Sequence, residues 1–144
     1  MAVEDGPDAA HRRPAGVSDE TVAALGKLSE ALECVHRVRG HVYAMHQLVG
    51  HADRMLDDAA GKLRAAGHDD LADRVERELI GRNVLTGRWT FQIVEDFDDG
   101  YYAAFREVED SARRQLVGGR RHLFEAELKE RRRTRGEPGH EATP

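Results

Sequence analysis

A seven-residue repeat runs through the first half of the chain and constrains the fold more than any other feature. It consists of apolar residues spaced by seven: Leu28, Val35, Val42, Val49, Leu56 and Leu63. A second series lies three residues before each of these: Leu25, Leu32, Arg39, His46, Asp53 and Ala60. Alternating steps of three and four residues are typical of a long helix that buries one face. The sequence therefore predicts a helix whose buried seam is apolar at both ends and polar in the middle.

Local signals mark the two ends of this helix. Ser18 can cap the N-terminus through its hydroxyl group, and Gly67 is a typical residue at which a helix stops. Asp69 or Asp70 can then cap the helix that follows. The heptad phase is unchanged on both sides of each internal glycine, so we expect one continuous helix. It would contain roughly 48 residues and extend about 70 Å.

The second half of the chain is expected to return along the first helix. Apolar residues recur over 71–116, with a break at 81–88 and an end at the glycine pair 118–119. A short third helix is expected over 120–133. An apolar and aromatic row recurs at every fourth residue of the returning arm and is expected in the core: Trp89, Ile93, Phe97, Tyr101 and Phe105.

The register of this return can be predicted from the turn. A tight turn at residue 67 places residue i of the first helix near residue 134 − i of the returning arm. Apolar residues then meet apolar residues, as with Leu56 and Leu79. Within one position, charged and polar residues in or beside the seam meet suitable partners as well: Arg39 with Glu95, His36 with Asp98, and Asp53 with Arg82.

The predicted fold class is all-α, a long antiparallel helical hairpin with a short C-terminal helix. A third row of mostly small residues widens the apolar face: Ala24, Ala31, Val38, Met45, Ala52 and Ala59. A lone hairpin cannot cover so wide a face, so we expect two copies to form a four-helix bundle as a homodimer. The alternative is a monomeric bundle whose arms break at internal glycines: Gly40, Gly50, Gly81 and Gly87.

Composition limits the domain organisation and the class of partner. The 144 residues suffice for one domain, predicted at 18–134 between disordered arms at 1–17 and 135–144. The chain has no apolar run that could span a membrane, and its net charge of −5 argues against nucleic acid as the main partner. The single cysteine, Cys34, excludes an internal disulfide, so a cytoplasmic location is expected.

The polar part of the seam has two interpretations. The preferred one is a structural layer that fixes the helix register, formed by Arg39, His46, Asp53, Arg82 and Glu95. The alternative is a site for iron, manganese or zinc, with candidate ligands His36, His46, Glu95 and Asp98. The spacing of Glu33 and His36 resembles that of ligands in ferritin-like, di-iron bundles. A positively charged guanidinium beside these carboxylates would repel a divalent cation, which favours the structural layer.

The end of the third helix carries a basic run that could contact an acidic partner: Lys129, Arg131, Arg132, Arg133 and Arg135. No nucleophile or phosphate-loop motif is present in the sequence. We therefore expect a non-enzymatic interaction or scaffold protein without a cofactor, which acts through its helical faces and its basic end on a protein partner that the sequence does not identify.

Overall fold

The computed structural model describes residues 5–143, and its regular secondary structure is helical throughout. The described residues contain no β-strand, so the all-α class is confirmed. The helical elements are α1 (Asp19–Ala65), α2 (Asp69–Glu78), α3 (Thr90–Phe97), a π-helical segment (Asp98–Tyr102), α4 (Ala103–Val117) and α5 (Leu123–Arg132), preceded by a 3-10 turn at Ala9–His11.

The chain divides into two compact units. The central unit is His36–Ala103, and the terminal unit combines Met1–Val35 with Ala104–Pro144. Helix α1 contributes its first part to the terminal unit and its second part to the central unit. Among the described residues, no helix has an apolar stretch long enough to cross a bilayer.

Helix α1 begins and ends as its sequence predicts. The backbone N–H of Thr21 donates to the hydroxyl of Ser18 at 3.1 Å, which is the expected N-cap. The helix is continuous over 47 residues, including Gly40 and Gly50. Gly67 ends it with a φ of +83°, and the N–H of the next residue donates back to the Leu63 carbonyl at 2.9 Å. This arrangement is a Schellman motif, which uses glycine because its φ is positive.

The start of α2 differs from the prediction. Asp69 and Asp70 lie in the first turn of the helix, and the capping position is His68, whose side chain makes no capping hydrogen bond. The Schellman motif leaves a single residue between the stop and the new helix, so no residue is left for a separate aspartate cap. The two carboxylates still favour the helix, because they lie at the positive end of its dipole.

The breaks in the second half lie near their predicted positions. The predicted break at 81–88 falls inside a longer non-helical loop at 79–89. Helix α4 ends at Val117, before Gly118 and Gly119, which both have positive φ. Helix α5 begins at Leu123, later than the predicted residue 120. Its N-terminal cap, His122, also has a positive φ of 58°, so the backbone is still turning at this residue.

Within the central unit, partners of α1 occur in the opposite chain order, as an antiparallel pairing requires. The predicted register holds at Asp53, which contacts Gly81, but it is off by three or four residues at the other end. The pairs are Asp53 with Gly81, His46 with Thr90, Arg39 with Asp98, and His36 with Tyr102. The residues of the loop at 79–89 do not advance along the axis as helical residues do. The π-helical segment contains one extra residue per turn compared with an α-helix. The offset therefore grows along the pairing.

The row at every fourth residue does not form the core. Trp89 is 56% exposed and Tyr101 is 59% exposed, whereas Val94 and Tyr102 are buried. A step of four residues advances by more than one full turn and drifts about 40° each time. The row therefore cannot stay on one buried face.

The terminal unit has its own small core. Val22, Val117 and Leu123 are buried together there. In the predicted N-terminal arm, Arg13 forms ion pairs with Asp19 and Glu127. The domain limits of 18–134 and the disorder of the arms at 1–17 and 135–144 stay predictions, and residues 1–4 and 144 lie outside the described residues.

Candidate functional site

A polar cluster of the central unit surrounds Arg39. Its guanidinium donates to both carboxylate oxygens of Asp98, with Nε–Oδ1 at 2.8 Å and Nη2–Oδ2 at 3.0 Å. The same guanidinium lies over the rings of Tyr43 and Tyr102, about 5 Å from each ring centroid. The paired hydrogen bonds to Asp98 and the contacts with the two rings hold the Arg39 side chain in place. Arg39 therefore links α1 to the π-helical segment.

The same arginine contacts two residues of the π-helical segment. Asp98 and Tyr102 are four residues apart, and both contact Arg39. The hydroxyl of Tyr102 forms a hydrogen bond with Nδ1 of His36 at 2.8 Å, and its ring stacks on Phe97. The Arg39 hydrogen bonds and charge hold the pKa of the Asp98 carboxyl below its usual range. Asp98 is therefore an ionised hydrogen-bond acceptor at neutral pH, already engaged by its arginine.

The predicted partners of the polar row need correction. Arg39 pairs with Asp98 instead of Glu95, because the returning arm is displaced by three residues at this level. Glu95 itself is exposed. Asp53 accepts a hydrogen bond from the backbone N–H of Gly81 at 2.8 Å, whereas Arg82 donates to the Glu78 carbonyl. The register-fixing role assigned to the row stays a prediction.

The four candidate metal ligands are not brought together. Asp98 is held by Arg39, and His36 by Tyr102. His46 forms a hydrogen bond through Nδ1 with the Thr90 hydroxyl at 2.7 Å. Across residues 5–143, no three His, Cys, Asp or Glu side chains are grouped so that they could hold a metal ion. The metal site stays a prediction that no contact in this part of the chain supports.

A second candidate site, missed at the sequence level, is an open apolar groove of about 620 Å³ in the central unit. It lies between α1 and the residues around the 79–89 loop. Its apolar lining is Val49, Ala52, Leu56, Leu79, Val84, Trp89 and Phe91. The rings of Trp89 and Phe91 lie 5.1 Å apart, and 56% and 46% of these residues are exposed. We call this surface the Trp89 groove.

The groove has few polar groups, and two of them are already occupied. Asp53 accepts from Gly81, and Thr90 bonds to His46. The volume is within the range of ligand pockets, but the site is open and lined by aromatic and aliphatic side chains without a cluster of reactive groups. The available sequence signal was the concentration of large apolar residues in a segment interrupted by glycines.

The basic run at the C-terminal end divides into two sets. The Arg133 side chain is only 3% exposed and pairs with Glu130 and Asp5, and Arg135 also pairs with Glu130. These arginines hold the pKa of Glu130 below its usual range. The remaining members are exposed and form no ion pair within the described part of the chain: Lys129, Arg131 and Arg132.

Known proteins give no functional lead for this chain. Neither a protein-family model, nor a curated protein, nor a solved structure shows significant similarity to it. The functional conclusion therefore rests on the geometry of the chain itself.

Proposed function

We propose that the protein is a non-enzymatic helical interaction protein whose central unit binds partner proteins through exposed apolar surface. The observation that carries this proposal is the Trp89 groove, where a tryptophan and a phenylalanine stay about half exposed on an ordered framework. Monomeric proteins rarely leave large contiguous apolar patches open unless these bind something. Exposed tryptophan side chains are also the residues that most often dominate binding energy at protein interfaces.

The finer architecture belongs to the same proposal. The contacts of the central unit support an antiparallel helical hairpin, and two such hairpins form a four-helix bundle as a homodimer. The bundle dimer accounts for apolar residues on α1 that its own chain leaves exposed, such as Leu48 and Met55.

The partner that fits the groove is an amphipathic helix with one or two large apolar anchors. Helices bind apolar grooves through residues spaced by three and four, and the open groove between α1 and the loop suits such a helix. Arg82 is among the residues that line the groove, and its positive charge favours acidic residues on the partner beside those anchors. The exposed cations Lys129, Arg131 and Arg132 form a second surface that suits an acidic partner.

The polar groups of the central unit support binding over catalysis. The Asp98 carboxylate is engaged by Arg39, and His36 and His46 of α1 are engaged by hydroxyl groups. In these pairs the side chains hold one another in place and present no activated nucleophile.

The Trp89→Ala variant tests the groove. Proteins captured with the full-length chain are purified and their affinities measured directly by titration calorimetry. We expect Trp89→Ala to weaken partner binding by about thirtyfold, the effect of a hot-spot residue. Tyr101→Ala is the matched control, because Tyr101 is equally exposed but lies outside the groove. Equal affinities for the wild type and Trp89→Ala would overturn the groove assignment.

The basic surface is tested separately. Charge reversal of Lys129, Arg131 and Arg132 to glutamate should weaken binding of an acidic partner and remove its salt dependence. Reversal of Arg12 and Arg120, which lie elsewhere in the terminal unit, is the control. Unchanged recovery and unchanged salt dependence of the partner would exclude a role for this surface.

A further inference from the structure

Within the central unit, several polar contacts of α1 with the following chain come from two neighbouring heptad rows, the row of Arg39, His46 and Asp53 and the row of His36 and Arg64. The row beside them, Val42, Val49 and Leu56, is half-buried. The opposite side carries a second seam with alternating steps of three and four residues. This outer seam consists of Val38, His41, Met45, Leu48, Ala52, Met55 and Ala59. Ala52, and Val49 beside the seam, also line the edge of the Trp89 groove.

The outer seam is apolar except for His41, and most of it is exposed, with Met45 and Ala59 half-buried. Leu48 is 65% exposed, Met55 is 60% exposed and Val38 is 45% exposed. The seam extends over three heptads, about 32 Å along the helix axis. Its alanines permit a close approach of a second helix. A repeat of 3.5 residues is the pattern that one helix presents to another helix over an extended contact.

We propose that the outer seam is the dimer interface, and that it packs antiparallel against the outer seam of a second copy. This inference rests on the homodimer of the proposed function and specifies its surface and register. Met45 lies opposite Leu48 of the second copy, and Val38 lies opposite Met55 of the second copy. By symmetry each of these pairs occurs twice.

The residues that flank the seam select this register. On one flank, Arg37 faces Asp58 of the second copy, again twice by symmetry. The Asp58 side chain is 72% exposed, so it remains accessible in addition to its ion pair with Lys62. On the other flank, Val42 faces Val49 of the second copy. Both flanks of this register are therefore complementary, one in charge and one in apolar character.

Other registers lose this complementarity. A shift by one heptad in one direction places Glu30 against Asp58, which brings like charges together. The opposite shift pairs His51 with itself and removes the arginine–aspartate pairs. A parallel arrangement places Arg37 against the apolar row that contains Val42, so the guanidinium loses its carboxylate partner.

The first test is the oligomeric state of the full chain by analytical ultracentrifugation. Leu48→Glu should weaken the dimer at least a hundredfold and leave the helical circular dichroism unchanged, because Leu48 is already exposed in the single chain. Leu116→Glu, at a residue 50% exposed in the terminal unit, is the matched control and should not change the dimer. A wild-type dimer that Leu48→Glu leaves intact would overturn this interface while the proposed function stands.

The second test addresses the register by charge exchange. Arg37→Glu and Asp58→Arg should each weaken self-association by about tenfold, because each places like charges together twice. Mixing the two variants restores both opposite-charge pairs, so the mixed dimer should form at close to wild-type affinity. Intrachain costs are the same before and after mixing, and restoration therefore reports contact between copies. Random mixing without preference would overturn the antiparallel register.

The outcomes also separate this inference from the groove. A wild-type chain that is monomeric at all concentrations overturns the inference, and the Trp89→Ala titration then decides the partner-binding function independently. A dimer sensitive to Leu48→Glu supports the seam whatever the result of that titration.

Discussion

The terminal and central units differ in how much of their apolar surface they bury. In the terminal unit the buried apolar residues are Val22, Val35, Val117 and Leu123, and four large apolar residues are exposed among those the structure describes. In the central unit only Ala60, Ala72, Val94 and Tyr102 are buried, and eleven large apolar residues are exposed. The terminal unit therefore buries a core of its own, whereas the central unit leaves most of its large apolar side chains exposed.

The two units also differ in how they place an arginine and a carboxylate. In the terminal unit, Glu109 is 7% exposed and accepts from Arg113 and from the hydroxyl of Ser29. In the central unit, the side chain of Asp98 is 25% exposed and that of Arg39 is 37% exposed. A buried pair costs more to break than an exposed one, because the remaining charge has less water around it.

The largest expected effect comes from the terminal core. Leu123→Ala should lower the free energy of unfolding by about 3 kcal/mol, because it removes a buried side chain and leaves a cavity beside Val117. Leu71→Ala in the central unit should cost less than about 1 kcal/mol, since Leu71 is half exposed. Urea denaturation at one fixed protein concentration measures both. Equal losses would mean that the two units do not differ in core packing.

The second prediction compares ion pairs within the terminal unit. Glu109→Gln should destabilise the fold by about 2 kcal/mol, because the side chain of Arg113, which is only 15% exposed, loses its carboxylate partner. The loss of stability should be smaller than for a buried charge without any partner, since Arg113 also donates to the Gly119 carbonyl at 2.9 Å and to Asp110. Asp110→Asn, at a half-exposed carboxylate, should have a smaller effect. The same denaturation series checks the order, and a larger effect of Asp110→Asn would contradict it.

The third prediction uses two glycines on the same heptad row of α1. A Cβ at Gly26 would lie 2.9 Å from Cγ of Phe124, whereas a Cβ at Gly40 would meet nothing within 4 Å. Gly40→Ala should therefore stabilise the protein by about 0.5–1 kcal/mol through helix propensity. Gly26→Ala should lose this gain or reverse it, because Phe124 must move. Thermal unfolding of both variants decides, and equal stabilisation would mean that α5 does not pack closely on α1.

The sequence predicts the helices better than it predicts their partners. The ends of α1 follow from Ser18 and Gly67, whose capping and stop signals are local. The register fails by three residues at Arg39, because it depends on how many residues the 79–89 loop and the π-helical segment consume. Neither the loop geometry nor a π-helical turn has a periodic signal in the sequence.

The candidate sites show the same limit. The polar row was recognisable because it interrupts an apolar heptad. Its contact at Gly81 lies in the predicted register, but its partners Asp98 and Thr90 follow from the displaced register. The Trp89 groove was missed because the row at every fourth residue favoured burial of Trp89. Exposure of one residue within a periodic row depends on which neighbours are present, and periodicity alone does not contain that information.

The smallest expected effect concerns acid stability. The pKa of Asp98 is lowered by the Arg39 hydrogen bonds and charge, and the pKa of Glu130 is lowered by Arg133 and Arg135. A carboxyl group whose folded-state pKa is lowered stabilises the fold at neutral pH, and this stabilisation is lost as the pH falls below about 4.

Asp98→Asn and Glu130→Gln should therefore each lower Tm at pH 7 and have little effect at pH 2.5. The difference at pH 7 should be larger for Glu130, because the side chain of its partner Arg133 is only 3% exposed. Arg39 is 37% exposed and can be solvated when its carboxylate is neutralised. Tm measured from pH 2.5 to 7 checks both, and a Tm difference that does not shrink in acid would show that these carboxylates act through packing and not through charge.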